Sequence, residues 1–175
     1  MERIQINPWD FTTRIAHLWE KDWLLLSSGD FKAGNYNAMT VAWGSFGVMW
    51  AKPFAQVVVR PSRYSFGLMN QYDTFTLTAF GAEHKKALGL LGSKSGRDGD
   101  KIAESGLSPV SGVVAAAPTF SEAILSIECR KLYWQDMEPG NFVDPALEGS
   151  YNGSDYHRIF FGEIIHVEGI ANFKF

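Results

Sequence analysis

Two short polar stretches hold the side chains most able to do chemistry. The first, Arg60-Pro61-Ser62-Arg63-Tyr64-Ser65, puts two guanidiniums and two serine hydroxyls at a point with helix-start composition. Arginine donates a planar fork to phosphate oxygens, and a helix N-terminus adds free N–H groups and a favourable dipole. The second, Ser93 to Lys101, reads SKSGRDGDK and offers Lys94, Ser95, Arg97 and Lys101 around the flexible backbone of Gly96. It lacks the Gly-Lys-Ser/Thr ending of a P-loop, and it is not a GxGxxG fingerprint. Plainer readings compete: helix caps and surface ion pairs for the first stretch, a solvated loop for the second. No nucleophile elbow or acid–base pair is visible, and His17, His84, His157 and His166 show no metal-ligand spacing. The chemistry on offer is the binding of an anion.

The segments ahead of the first stretch decide what that anion could belong to. Asn37 to Gly44 reads as a strand, whose successive side chains alternate between faces. Met39, Val41 and Trp43 make a bulky face; Ala38, Thr40, Ala42 and Gly44 make a nearly bare one. A bare strand face lets a flat group lie close to the backbone. Lys52-Pro53 should then break the chain before a second strand, Phe54 to Arg60, delivers the arginines. A flat surface followed by an anion clamp suits flavin mononucleotide, FMN. On this reading Met39, Thr40, Ala42 and Trp43 line the ring, Arg60, Ser62, Arg63 and Ser65 hold the phosphate, and Asn37 and Tyr64 belong to the same cofactor site. Lys94, Ser95, Gly96, Arg97 and Lys101 add positive charge and backbone nearby.

Elsewhere the periodicity predicts a helix over Pro8 to Lys21, with Phe11, Ile15, Leu18 and Trp19 at helical spacing. Trp23 to Leu26 reads as a strand, followed by a turn-rich Ser27 to Asn35. A short helix is expected from Ser62 to Gln71, a strand from Thr74 to Phe80, and a helix from Glu83 to Leu91 ended by Gly92. Another helix should start within the Ser93–Lys101 stretch and run to Ser105. Thr119 to Leu132 alternates as one extended strand, which makes Cys129 a small core residue. Tyr133 to Tyr156, rich in proline and glycine, reads as a long loop of the kind that forms a lid or an interface arm. His157 to Val167 returns as a strand with Gly162 in its middle. Short strands with scattered helices argue for a closed or nearly closed antiparallel barrel.

At 175 residues, 46% hydrophobic and 20% charged, the chain has the composition of one globular domain with a sizeable core. A net charge of −3 gives no electrostatic reason to expect nucleic acid or a membrane surface. A single cysteine excludes an internal disulfide, and no apolar run is long enough to span a bilayer. The acidic start, MERIQINPWD, is not a signal peptide, so the expected compartment is the cytoplasm. Thirteen phenylalanines, six tryptophans and six tyrosines are many for this length; beyond filling a core, they could cover a cofactor or an interface.

Four motifs in order, NAMT-x-x-W at 37–43, RPSRYS at 60–65, GSKSGRD-x-DK at 92–101 and FGEI at 161–164, resemble the FMN-binding split-barrel flavin reductase-like family, which includes the flavoredoxins. The resemblance runs from about Asp22 to His166. It implies a mainly β, antiparallel Greek-key split barrel with a few short helices, built as one domain over residues 1–175. It also implies a homodimer with FMN near the subunit interface, and it strengthens the ligand reading of the SGRD stretch. The implied activity is an NAD(P)H-dependent flavin reductase, with NADH or NADPH as donor and free flavin or an electron-accepting protein as recipient. Two alternatives stay open at this point. One is a flavoredoxin-like electron carrier without nicotinamide activity; the other is a split-barrel module that binds or senses haem or another ligand.

Overall fold

A computed structural model describes residues 2–175, and ten strands carry the fold. β1 (Ile4–Ile6), β2 (Leu24–Asp30), β3 (Asn35–Val41), β4 (Gly44–Met49), β5 (Lys52–Val59), β6 (Thr74–Ala79), β9 (Leu125–Asp136) and β10 (Arg158–Gly169) form one antiparallel sheet. β7 (Pro109–Val110) and β8 (Thr119–Phe120) pair separately. The main order is β3-β2-β6-β9-β10-β5-β4, with β1 on the far half of β10. β3 and β4 thus end a seven-strand path, and a flat sheet at about 4.8 Å per strand would hold them about 29 Å apart. Only Ala42 and Trp43 separate them in sequence, and three Cα steps reach at most about 11 Å. The sheet must therefore curl until its two ends meet.

Particular residues permit that curl. β10 shifts register against β9 at Phe161/Gly162 and again at Ile164/His166, and such bulges bend a strand and increase its twist. At Gly44, where β4 departs from the closure, a Cβ would fall 2.4 Å from both the Gln56 carbonyl oxygen and the Trp19 ring. Only glycine fits there.

Alternation then sorts the core into two. Leu24 and Leu26, Ala55, Val57 and Val59, Phe75, Leu77 and Ala79, and Leu125, Ile127 and Cys129 point into the barrel. The opposite face supplies Leu25 and Ala38, which pack outside with Leu88, Leu91, Ile102 and Phe120. That outer core seats α3 (Lys85–Ser93) and α4 (Lys101–Ser105) against the barrel, while α2 (Tyr64–Gln71) follows β5 and sends Met69 into the inner core. Cys129 is fully buried and its thiol pKa is pushed well up, first by burial, so it is a core residue.

Several expected elements differ. Pro8 to Lys21 is not one helix: a 3₁₀ turn, Pro8–Asp10, gives way to extended chain before α1 (Ile15–His17) and one π turn, Leu18–Asp22. The extended part is drawn to the C-terminal segment, where Thr12 N–H donates to the Phe173 carbonyl and Phe11 bridges Lys174. The strand expected over Asn37 to Gly44 stops at Val41. The break expected at Lys52-Pro53 comes earlier, at Trp50 and Ala51, whose φ values of 54° and 55° make the tight hairpin between β4 and β5. Pro53 lies just outside the β10 pairing, which starts at Phe54, so the ladder on that side needs no N–H from it. The strand expected over Thr119 to Leu132 is cut by a turn after Phe120, and Tyr133 to Asp136 belong to β9. The long loop is therefore 138–156, closed at its neck by Met137 N–H donating to the His157 carbonyl at 2.9 Å. Among the described residues, no helix is long and apolar enough to cross a membrane.

Candidate functional site

β3 ends the sheet path, so one of its edges carries no neighbouring strand among the described residues. Two hollows lie beside it and meet at Met39 and Arg63. The first, of about 210 Å³, is walled by Met39 to Trp43 with Val58, Arg60, Arg63 and His157. The second, of about 160 Å³, takes Asn37, Ser62 to Ser65, Leu91 to Arg97 and Lys101. One is largely a strand and its aromatic rim; the other is rich in donors.

The donors of the second hollow follow from how α2 begins. Its N-cap, Arg63, offers no side-chain acceptor, and while Phe66 N–H donates to the Arg63 carbonyl at 3.0 Å, the Tyr64 and Ser65 amides are left for an incoming acceptor. Ser65 is buried, and its Oγ accepts from Asn37 Nδ2 at 2.7 Å, which leaves the serine proton free to donate. Gly96 brings the 92–101 loop close: a Cβ there would sit 2.6 Å from Asn37 Oδ1 and 2.7 Å from Tyr64 Cδ1. Arg97 donates to the Ser62 carbonyl at 3.0 Å and lies over the Tyr64 ring. Lys94 is paired with Glu104. Arg63 is the least committed cation, with one contact of 3.4 Å to the Gly92 carbonyl. Free helix amides, a serine proton and an uncommitted guanidinium fit a phosphate.

Two sequence expectations divide here. The bare face of β3 receives a helix instead of a ligand: Ala38 is fully buried, and Thr40 Oγ1 donates to the Leu88 carbonyl at 2.6 Å. Thr40 still borders the first hollow beside Met39, Ala42 and Trp43, but its proton is spent on α3. The Arg60–Ser65 cluster also splits. Arg60 donates to the carbonyls of Ser150 and Asp155 and lies over the Tyr151 ring, so it serves the 138–156 loop. Ser62 gives its N–H and hydroxyl to Asp155. Arg63, Tyr64, Ser65, Lys94, Ser95, Gly96, Arg97 and Lys101 do converge on one hollow.

Of the four histidines, His157 is the one whose place near the start of the last strand could bring it to a flavin or a substrate, and it lies in the wall of the first hollow. Its ring lies 5.2 Å from that of Trp43 in the wall of the first hollow, and its Nδ1 is 3.0 Å from the Tyr151 hydroxyl, which also reaches Met137 Sδ. Burial, and then the charge of Arg60, brings its pKa down to about 4, so the imidazole is neutral at ordinary pH. Its position alone says nothing of its partners, because Tyr151 and Arg60 reach it only through the folded loop.

Lys101 is almost fully buried and donates to the carbonyls of Leu91 and Lys94 at 2.8 and 3.0 Å, tying the 94–101 loop to the end of α3. Burial, reinforced by the charge of Arg63, brings its pKa down to about 8. The folded value lies below the unfolded one, so the unfolded chain holds the extra proton between roughly pH 8 and 10.5 and stability rises across that window. A phosphate in the hollow would hold the proton on. The preference for FMN over riboflavin should therefore fall as pH rises from 7 to 9.5, measured by fluorescence titration; a ratio that stays flat or climbs would separate Lys101 from the anion.

The sequence matches the flavin reductase like domain over residues 23–174. No curated protein matches it. Among solved structures, the FMN-binding domain of a flavin reductase-like enzyme from Shewanella baltica superposes with a TM-score of 0.70 at 15% identity, over 96% of this chain and 77% of that one. Flavoredoxin from Desulfovibrio vulgaris gives 0.67 at 21% identity, over 92% and 75% of the two chains. An NADH:FAD oxidoreductase from Streptomyces globisporus gives 0.62 at 19%, over 83% and 73%. These likenesses identify the fold as the split barrel expected from the sequence, and the FMN-binding neighbours agree with FMN as the expected cofactor. With a family match that runs from the start of β2 to the C-terminal turn, the chain belongs to the flavin reductase-like family.

Proposed function

We propose that this protein is an FMN-dependent oxidoreductase that passes electrons from NADH or NADPH to flavin. The observation that carries this reading is that the two hollows meet at Met39 and Arg63, a strand-side recess bordered by Met39, Ala42 and Trp43 beside a set of phosphate donors. FMN, when bound, supplies the reversible electron chemistry. The chain supplies position. Arg63, Ser65 and the first amides of α2 would bind the phosphate, while Met39, Ala42 and Trp43 would pack against the ring system. His157, neutral beside Trp43, would offer a hydrogen bond to the ring or to a nicotinamide without adding charge.

The absorbance spectrum of the purified protein, with FMN titration, tests the cofactor: a yellow protein binding about one FMN per chain is expected. A colourless protein that leaves FMN fluorescence unquenched would sink the reading, and a haem spectrum would replace it. Oxidation of NADH or NADPH in the presence of free FMN tests the reaction. Tight FMN binding with neither nicotinamide oxidised would make it a flavoredoxin-like carrier, accepting electrons from a protein partner in the cytoplasm.

The assembly we propose is a homodimer. Trp50, Tyr133, Phe161 and Phe54 form a run of aromatic rings with centroids 5.7 to 6.4 Å apart on the outer face, and Trp50 and Tyr133 are about half exposed. Beside them β4, GSFGVM, carries no charge on an edge that pairs with no strand among the described residues. Exposed edges are ordinarily guarded by charges or proline. A second copy, related by a two-fold axis, would cover both features with one self-complementary contact. Light scattering should give twice the 19.5 kDa of one chain; the mass of a single chain would overturn the dimer.

A further inference from the structure

The 138–156 loop closes back on the arginine turn through one carboxylate. Asp155 accepts the Ser62 N–H at 2.9 Å and the Ser62 hydroxyl at 2.6 Å, and its Oδ2 lies 3.9 Å from Arg60 Nη1. A backbone amide, a hydroxyl and a guanidinium are the contacts that a phosphate takes at a helix entrance. Asp155 is thus an anion of the protein's own, seated one residue from the N-cap of α2.

The chain goes out of its way to seat it. Asp155 has φ of 57° and Asn152 of 51°, left-handed values that Asn and Asp tolerate better than other side chains but that still favour glycine, and that surrounding contacts help to hold. Those contacts are present: Arg60 holds the Ser150 and Asp155 carbonyls and lies 5.0 Å from the Tyr151 ring centroid. The neighbouring cations are committed as well, Lys94 to Glu104, Lys101 to two carbonyls and Arg97 to the Ser62 carbonyl. Arg63 and the α2 amides are left, enough for one phosphate.

We propose that Asp155 restricts this site to a flavin monophosphate: its carboxylate occupies the Arg60 and Ser62 donors that a second phosphate, as in a flavin dinucleotide, would need. Its negative charge also repels that phosphate. The proposal rests on the reading of the site as an FMN site, and it makes discrimination against FAD a property of the 138–156 loop.

Two variants of the full chain test it. Asp155→Asn removes the charge and keeps the size. Asp155→Gly removes the side chain at a φ that glycine adopts freely, so loss of the carboxylate is not confounded by backbone strain. FMN, FAD and riboflavin are titrated by flavin fluorescence. Wild type should prefer FMN to FAD, and both variants should raise FAD affinity relative to FMN by about tenfold, the effect of one charge-assisted contact; loosening of the loop acts on FMN and riboflavin alike, so the FMN-to-riboflavin ratio should stay unchanged. A wild type that prefers FAD, or an FAD-to-FMN ratio equal in all three proteins, overturns the proposal. If wild type binds no flavin at all, the FMN reading itself has failed. Thermal protection by inorganic phosphate and pyrophosphate then decides on Asp155: pyrophosphate protection gained by the variants and absent in wild type supports its role, and no gain overturns it.

Discussion

Arg63→Ala should weaken FMN binding by roughly ten- to hundredfold and leave riboflavin binding little changed. Losing a charge-assisted hydrogen bond costs ~1.5–3 kcal/mol, which corresponds to that range. Riboflavin has the same ring and no phosphate, so the ratio of the two affinities isolates the anion. Arg63 is singled out by geometry: it belongs to both hollows, it is the N-cap of a helix with free amides, and its one contact is 3.4 Å long. Arg60→Ala should behave differently. Arg60 binds the Ser150 and Asp155 carbonyls, so its loss loosens the loop that seats His157, and FMN and riboflavin should weaken together. Titration of both ligands into both folded variants checks this. If Arg63→Ala leaves the FMN-to-riboflavin ratio unchanged, the phosphate lies elsewhere and Arg97 is the next cation to test.

The contrast between those arginines marks where sequence reading runs out. In RPSRYS they are equivalent, two guanidiniums three residues apart, and nothing local says which faces a ligand. Asp155 sets them apart from ninety-three positions away along the chain from Ser62, whose N–H and hydroxyl it takes, with Arg60 drawn to the same loop. The bare face of β3 fails for a similar reason. Small side chains at Ala38 and Thr40 do mark a close approach, as expected, but a helix approaches as readily as a cofactor, and α3 is that helix. Legible features were those with a local cause. The alternation of Phe75, Leu77 and Ala79, or of Leu125, Ile127 and Cys129, appears as read, because one face of each strand is fixed by the barrel core. The short strand GSFGVM escaped notice since two glycines and a serine carry no strand propensity; its pairing with β5 comes from the Trp50–Ala51 hairpin. The second anion stretch was legible as charge, while the burial of Lys101 under α3 required the fold.

Glu128→Ala should lower the melting temperature by about 6–12 °C and leave FMN affinity intact in the folded protein. Glu128 is buried on the outer face of β9, opposite Thr76 in the ladder. Its carboxylate collects three consecutive backbone amides: Oε1 accepts from Val113 at 2.7 Å, and Oε2 from Val114 at 2.8 Å and Ala115 at 2.6 Å. Successive amides converging on one anion form a nest, and here the anion is the protein's own. The bend that allows this is Gly112, where a Cβ would fall 2.7 Å from the Ala115 carbonyl oxygen and 3.2 Å from Glu128 Oε2. The same segment is pinned further on by Thr74 Oγ1 accepting from Ala116 N–H at 3.0 Å and by Thr76 Oγ1 donating to the Pro118 carbonyl at 2.6 Å. Alanine leaves three donors without an acceptor, each costing about 1–3 kcal/mol when buried. Val113 and Val114 are exposed enough for water to recover part of that. A net loss of about 3 kcal/mol corresponds, at roughly 2–4 °C per kcal/mol for a chain of this size, to the range given. Glu128→Gln retains one acceptor oxygen but turns an NH₂ toward the remaining amides, so it should fall between wild type and alanine. Differential scanning calorimetry on the three proteins, with FMN titration below the transition, separates stability from binding. An alanine variant that melts with wild type would mean that water fully replaces the carboxylate, and the 111–118 segment would then owe its place to the two threonines and to Phe31 N–H, which donates to the Ala116 carbonyl at 2.9 Å.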